Sequence, residues 1–121
     1  MTTKEIGTQL VALCREGRNL DAINTFYADD IVSVEAGGPS GMDRTTRGKA
    51  GVIGKNQWWV ENHDMHSATC EGPFPHDDRF AVRFTYDVTH KPNGQRFTMN
   101  EVALHTVKDG KIVREEFFYT M

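Results

Sequence analysis

Apolar side chains recur at every third or fourth position between residues 5 and 27 and again between residues 49 and 62. This spacing is typical of amphipathic helices that bury one face. Thr2 followed by Glu5 is the pattern of a capping box, so the first helix should begin there and end before Gly17. Asn19 should cap a second helix, and the short connection makes the two a helical hairpin.

A third helix is predicted over residues 49–62. Because Trp58 and Trp59 are adjacent, one of them should pack into the core while the other lies nearer the pocket or rim. Short strands are expected at residues 31–35 and 44–47, and composition predicts a mobile, glycine-rich loop over residues 36–43 between them. The buried side of the third helix should comprise Val52, Ile53, Trp58, Trp59 and Val60.

From Met65 onward the period changes to an alternation of apolar and polar positions, as in half-buried strands. Turn residues such as Asn93-Gly94 and Asp109-Gly110 separate the strands as tight hairpins. Antiparallel strands of this length twist strongly, so the sheet should curl and helices should fill its hollow side only in part. The strands are predicted at residues 66–72, 79–91, 96–108 and 111–121.

The order of elements therefore predicts one α+β domain spanning residues 1–121, with three helices packed on a curved mixed or antiparallel sheet that encloses a pocket. Its hydrophobic fraction of 38% and charged fraction of 26% are those of a globular domain. The net charge of −3 without a basic stripe argues against nucleic-acid binding. No apolar run is long enough to span a membrane, and the N-terminus lacks the apolar core of a signal peptide, so a cytoplasmic location is expected.

Motifs for cofactors, metals or nucleophilic catalysis are not found in the sequence. The five histidines do not form a metal-site pattern, the glycine-rich loop is not followed by the lysine and helix start of a phosphate-binding loop, and there is no Gly-x-Ser-x-Gly segment. Cys14 and Cys70 lie far apart and should be reduced, mostly buried thiols. The sequence thus predicts a protein without a metal or cofactor.

Two segments carry a family resemblance. Phe26-Tyr27-Ala28-Asp29-Asp30 leads into the first strand, and Asp109-Gly110-Lys111-Ile112 turns into the last one. With the order of elements, they make the chain similar to the SnoaL-like branch of the nuclear transport factor 2-like superfamily. The resemblance implies a cone-shaped, cystatin-like fold. It does not imply one activity, because the superfamily includes ketosteroid isomerases, polyketide cyclases, epoxide hydrolases, dehydratases and non-catalytic binding modules.

The ketosteroid isomerase pattern transfers only in part. Its general-base carboxylate lies eight residues after the tyrosine that corresponds to Tyr27, which implies Glu35 as the base. Its oxyanion-hole tyrosine falls near Val11, which cannot donate a hydrogen bond. Its oxyanion-hole carboxylic acid falls at Val102, or at Glu101 if the last hairpin is shifted by one residue.

That shift depends on the turn at Asp109-Gly110. A two-residue turn pairs Leu104 with Glu115, whereas a bulge at Gly110 moves the pairing by one residue and exchanges the faces of one strand. The bulged form suits a left-handed glycine better and is favoured. It would place on one face Glu101, Ala103, His105, Val113, Glu115, Phe117 and Tyr119.

Two hypotheses follow from these residues. The first is a cofactor-independent isomerase, cyclase or hydratase that moves a proton on a small apolar organic molecule, with Glu35 as base and Glu101 or His105 as acid or oxyanion partner. The second is a small-ligand binding or dimerisation module without chemistry. In either case the pocket wall should include Trp58, Phe84, Tyr86, Glu115, Phe117 and Tyr119.

The opposite face of the sheet is also apolar in part. In the favoured register it would present Val102, Leu104, Ile112 and Phe118. Apolar patches of this kind are usually covered by a partner, and the family resemblance implies pairing through this sheet. A homodimer is therefore expected.

Overall fold

The computed structural model describes residues 1–37 and 43–120. Most of the glycine-rich segment predicted to be mobile lies outside the described residues. The helices are α1 (Thr3–Arg15), α2 (Asn19–Phe26) and α3 (Lys49–Asn62). The strands are β1 (Tyr27–Val34), β2 (Thr45–Arg47), β3 (His63–His76), β4 (Arg79–His90), β5 (Gln95–Lys108) and β6 (Lys111–Phe118).

The N-terminal hairpin begins as its sequence predicts. The Thr2 hydroxyl accepts a hydrogen bond from the Glu5 backbone, and the Glu5 carboxylate accepts one from the Thr2 backbone, both at 3.1 Å. The second helix departs from the prediction, because Arg18 occupies the N-cap position and Asn19 is already helical. β1 follows α2 directly at Tyr27, where the strand reaches its pairing position opposite Ile112.

The six strands form one mixed sheet in the order β2-β1-β6-β5-β4-β3. β1 runs parallel to β6, and all other neighbours are antiparallel. This arrangement of three helices on a mixed sheet confirms the predicted fold. Within the described ranges, no helix is long and apolar enough to cross a membrane.

The last hairpin has the favoured register, but the predicted cause was wrong. Asp109 (φ 52°) and Gly110 (φ 75°) form a two-residue turn in which Lys108 pairs with Lys111. Positive φ at both central residues is the conformation that matches the twist of a hairpin. The irregularity lies further along, where Val107 pairs with Ile112 but Thr106 pairs with Arg114.

Val113 is therefore the extra residue of a β-bulge. Beyond it, His105 pairs with Glu115 and Ala103 with Phe117, so these side chains share one face with Glu101. The bulge also corrects the prediction for Ile112. Because it precedes the bulge, Ile112 faces the core with 0% exposure and is not part of the outer apolar face.

The core lies between the helices and the concave face of the sheet, and it is formed largely by α1, α2, β1 and β4. α3 contributes less than its sequence predicts. Val52 is buried, whereas Trp58 is 57% and Val60 59% exposed. Trp59 follows Val52 by two helical turns and shares its face, but Trp58 is rotated by about a third of a turn toward solvent.

Candidate functional site

A cavity of about 810 Å³ opens between the helices and the concave face of the sheet. Its wall is mainly apolar, and its mouth is bordered by exposed Leu20, Trp58, Val60 and Met65. The cavity lining includes each of the sequence-predicted site and wall residues: Glu35, Trp58, Phe84, Tyr86, Glu101, His105, Glu115, Phe117 and Tyr119. Three of these predicted residues, Glu35, Glu101 and Glu115, carry carboxyl groups that share one largely apolar space.

Pairing across the sheet explains why polar groups meet at the floor of this cavity. Ser33 pairs with Glu115 across β1 and β6, and Glu115 pairs with His105 across β6 and β5. His105 pairs in turn with Phe80 of β4. One row of side chains therefore crosses four strands on the concave side.

Glu115 is the carboxyl group of this row and is 2% exposed. It accepts a hydrogen bond from the Tyr27 hydroxyl and another from Ser33 Oγ at 2.7 Å. Burial raises the pKa of Glu115, and the hydrogen bonds from Tyr27 and Ser33 oppose part of this rise. Both oxygens of the carboxyl group thus have a partner, which suits a group that organises the cavity floor.

Glu35 lies just beyond β1, closer to the open side. Its carboxylate accepts hydrogen bonds from Lys55 Nζ at 2.7 Å and from the Tyr119 hydroxyl at 2.8 Å. Lys55 also donates to Ser33 Oγ at 2.8 Å and lies 5.4 Å from the centre of the Phe117 ring. Lys55 and Ser33 therefore connect the Glu35 carboxylate to Glu115.

His105 lies in this row, but its surroundings disfavour a charged ring. Its ring is 2% exposed and stacks on Phe80 with centroids 4.7 Å apart. Among the described residues, neither ring nitrogen has a hydrogen-bond partner, and Nδ1 lies 4.0 Å from Glu115 Oε2. Burial lowers the pKa of His105 to about 3. At neutral pH the ring is uncharged and does not hold the Glu115 carboxyl group.

Glu101 is the carboxyl group best placed to change its charge near neutral pH. It pairs with Phe84 across β4 and β5, on the apolar part of the wall. Burial, together with the charges of Glu35 and Glu115, raises the pKa of Glu101 to about 7, and Lys55 opposes the shift. Such a group can donate a proton or accept one under physiological conditions.

Val11, at the position of the family's oxyanion-hole tyrosine, is buried in the core and has no hydroxyl group. A different tyrosine borders the cavity beside Glu101. Tyr86 pairs with Met99, two residues from Glu101 on the same face of β5. Its ring packs against Phe84 and Trp59, each with centroids 5.7 Å away. Burial raises the pKa of Tyr86, so its hydroxyl remains a proton donor at neutral pH.

Sequence reasoning missed Tyr27, Ser33 and Lys55 as members of this polar network. Lys55 lies three residues after Val52, on the same face of α3, and this spacing could have marked it as inward-facing. Ser33 alternates with Ile31 in β1 and shares its buried face. Tyr27 was identified only as part of the family segment and as an apolar stripe position.

The described residues contain no group of three histidine, cysteine, aspartate or glutamate side chains close enough to hold a metal ion. The polar network instead consists of carboxyl, hydroxyl and amino groups within hydrogen-bond distance of one another. Such a set can position a small molecule and exchange protons with it.

Comparison with known proteins shows the family and the fold. A candidate SnoaL-like polyketide cyclase from Mesorhizobium loti is 46% identical, with 98% of this chain and 100% of that chain covered and a TM-score of 0.92. A candidate isomerase from Bacillus subtilis has the same fold at 17% identity and a TM-score of 0.79, with 99% of this chain and 90% of that chain covered.

A protein from Catenulispora acidiphila with a ketosteroid isomerase-like fold, solved in complex with trimethylamine, is 21% identical with a TM-score of 0.73, and 99% of this chain and 88% of that chain are covered. None of the curated proteins compared matches this chain. The SnoaL-like domain family matches residues 1–119. The chain therefore belongs to the SnoaL-like family.

Proposed function

We propose that the protein binds a small, largely apolar carbonyl compound in this cavity and catalyses cofactor-independent proton transfer on it. The observation that carries the proposal is the position of Glu101, a half-buried carboxyl group whose pKa is raised to about 7, in the same cavity as the Glu35 carboxylate. Enolisation of a ketone needs a base at carbon and a proton donor at oxygen.

Glu35 is proposed as the base. Lys55 and Tyr119 each use one lone-pair direction of its carboxylate and hold it in one orientation. An ionised carboxylate offers about four such directions, so lone pairs remain to accept a proton from a bound ligand. The two contacts fix the position of the base, and positioning is itself a large part of catalysis.

Glu101 in its acid form and Tyr86 are proposed as the donors to the developing enolate oxygen. Both belong to adjacent strands on the apolar wall, so the charge would form where little water competes for it. Tyr86 would thereby replace the hydroxyl group that Val11 lacks. An aldol cyclisation begins with the same enolisation, which agrees with the description of the Mesorhizobium loti relative as a candidate polyketide cyclase.

The proposal is tested with a panel of small enolisable ketones in deuterated water. Wild-type protein should accelerate exchange of the protons next to the carbonyl of at least one cyclic or aromatic ketone, followed by NMR. Glu71→Gln, on the exposed side of β3, makes the same chemical change outside the cavity and should keep the wild-type rate. Absence of exchange across the panel would contradict the catalytic proposal.

The pH dependence of this exchange tests the role of Glu101. If its acid form donates to the oxygen, the rate should fall as the pH rises through about 7, because the pKa of Glu101 is raised to that value. Glu101→Gln retains an N–H donor at every pH and should remove this decline. A wild-type rate that instead rises through pH 7 would make Glu101 the base and overturn the assignment.

A second candidate function is non-catalytic ligand binding. It is favoured by the hydrogen bonds that the carboxyl groups of Glu35 and Glu115 already accept from other side chains. Such hydrogen bonds can stabilise the fold without any part in catalysis. The two functions differ in one measurement. A binding module should retain an apolar ligand such as 2-naphthol, detected by fluorescence, without accelerating exchange of any ketone.

We also propose a homodimer formed through the convex face of the sheet. Val102 is 39% and Phe118 52% exposed there, on neighbouring positions of β5 and β6. Light scattering should give twice the chain mass, and Val102→Lys combined with Phe118→Lys should shift the protein to monomer, because apolar contact is lost and like charges meet. Thr8→Lys combined with Gln9→Lys, at exposed positions of α1, adds the same charge away from this face and serves as control. A monomeric wild type would refute the proposal.

A further inference from the structure

Two thiols that are remote in the sequence meet in the wall of the cavity. Cys14 lies near the end of α1 and Cys70 on β3, and both contribute to the cavity lining. Cys14 packs against the buried cluster that contains Cys70, the two thiols shift each other's pKa, and neither is part of a disulfide. Neither thiol has a part in the proton-transfer chemistry proposed above.

Arg15, the residue after Cys14, holds α1 against β3 at this point. Arg15 donates a hydrogen bond from Nε to the backbone oxygen of Cys70 at 2.9 Å. This bond fixes the backbone of one cysteine relative to the other, so the thiols stay adjacent without a covalent link. Thiols kept this close can be joined without large movement of the backbone.

We propose that Cys14 and Cys70 form a peroxide-sensitive dithiol site that closes into a disulfide between α1 and β3. In the first step, the Cys70 thiolate attacks hydrogen peroxide, which breaks the O–O bond, releases hydroxide and leaves a sulfenic acid. In the second step, the Cys14 sulfur attacks the Cys70 sulfur, an S–S bond forms and water leaves. The two thiols are oxidised by two electrons, and one peroxide is reduced to two molecules of water.

The two cysteines should have unequal roles. The neighbouring Cys14 thiol and the Arg15 guanidinium lower the pKa of Cys70, although burial opposes them. The neighbouring Cys70 thiol and burial raise the pKa of Cys14. Since the thiolate is the nucleophilic form, Cys70 should react with peroxide first and Cys14 should act as the resolving thiol.

The test uses the reduced full chain, exposed to hydrogen peroxide and then digested for peptide mapping. This readout follows the linkage itself, because methionines also take up oxygen from peroxide. The expected result is one intramolecular link between the peptides that carry Cys14 and Cys70, with both free thiols lost together and regained with dithiothreitol. The linked protein should melt on the order of 10 °C higher, since a long loop is closed.

Two variants separate the roles. Cys14→Ala should accumulate a sulfenic acid at Cys70 that reacts with dimedone, whereas Cys70→Ala should leave Cys14 largely unmodified under the same exposure. The proposal is overturned if wild-type thiols persist, if they are oxidised separately without a link, or if the links join two chains. The wild-type mapping alone decides this point, even if a variant folds poorly.

Discussion

Glu35→Gln should lower the rate of ketone proton exchange by about 10²–10⁴-fold, the usual contribution of a positioned general base. Glutamine has nearly the same shape but cannot accept the proton. Its amide oxygen can still accept from Lys55 or Tyr119, so the cavity should keep its form. The loss should therefore appear in kcat, with a smaller change in KM.

The measurement is the exchange rate by NMR as a function of ketone concentration, on the ketone that wild type turns over fastest. Glu71→Gln on exposed β3 is the matched control, because it removes the same charge outside the cavity. Binding of 2-naphthol should be retained by both variants. If Glu35→Gln exchanged the ketone protons at the wild-type rate, Glu35 would not be the base. The proposal of ligand binding would still stand.

The second large effect is a loss of stability in acid caused by His105. Burial lowers the pKa of His105 from 6.5 to about 3, so between these values the unfolded chain binds a proton that the folded protein does not. Stability from this group is therefore complete above pH 6.5 and decreases as the pH falls toward 3. The loss should reach about 2 kcal/mol by pH 5.

The test compares urea unfolding of wild type and His105→Met at several pH values between 4 and 8. Methionine has a similar volume and removes two buried ring nitrogens that have no hydrogen-bond partner among the described residues. The variant should be more stable, by about 1–3 kcal/mol at pH 8. The difference in unfolding free energy should grow in acid, because only wild type has a histidine here whose protonation favours the unfolded chain.

Glu101 acts in the opposite direction and must be separated from this effect. Because its pKa is raised, the folded protein binds the extra proton, and stability from Glu101 is lost as the pH rises from 4.5 through about 7. Taking the difference between wild type and His105→Met at each pH cancels this contribution. His76→Gln, at the exposed end of β3, is the control. An advantage that does not change with pH would contradict the role of His105.

Much of the fold could be predicted because its signals are local. Thr2 and Glu5 satisfy backbone groups only a few residues away, and α3 has the bounds that its sequence predicts, Lys49–Asn62. The side of the sheet on which Glu101 lies was predicted correctly for a reason that was wrong. The bulge is at Val113, where the pairing with β5 slips, and no turn residue marks that position.

The candidate site was less predictable because its contacts join distant parts of the chain. Lys55 reaches Glu35 only because α3 packs across the end of β1, and Ser33 reaches Glu115 only because β1 pairs in parallel with β6. A parallel pairing between the first and last long strands leaves no local signal. The same is true of Cys14 and Cys70, whose contact requires α1 to pack on β3.

The sequence by itself determined the helices, the hairpins and membership of the fold, because periodicity and turn chemistry act over a few residues. It also identified Glu35, Glu101 and His105 as side chains worth testing. Only the tertiary structure decided their chemical character, because a pKa depends on burial and on charges from other elements. Burial and the nearby charges of Glu35 and Glu115 raise the pKa of Glu101 to about 7. Burial lowers the pKa of His105, which has no hydrogen-bond partner among the described residues, so its ring is uncharged at neutral pH.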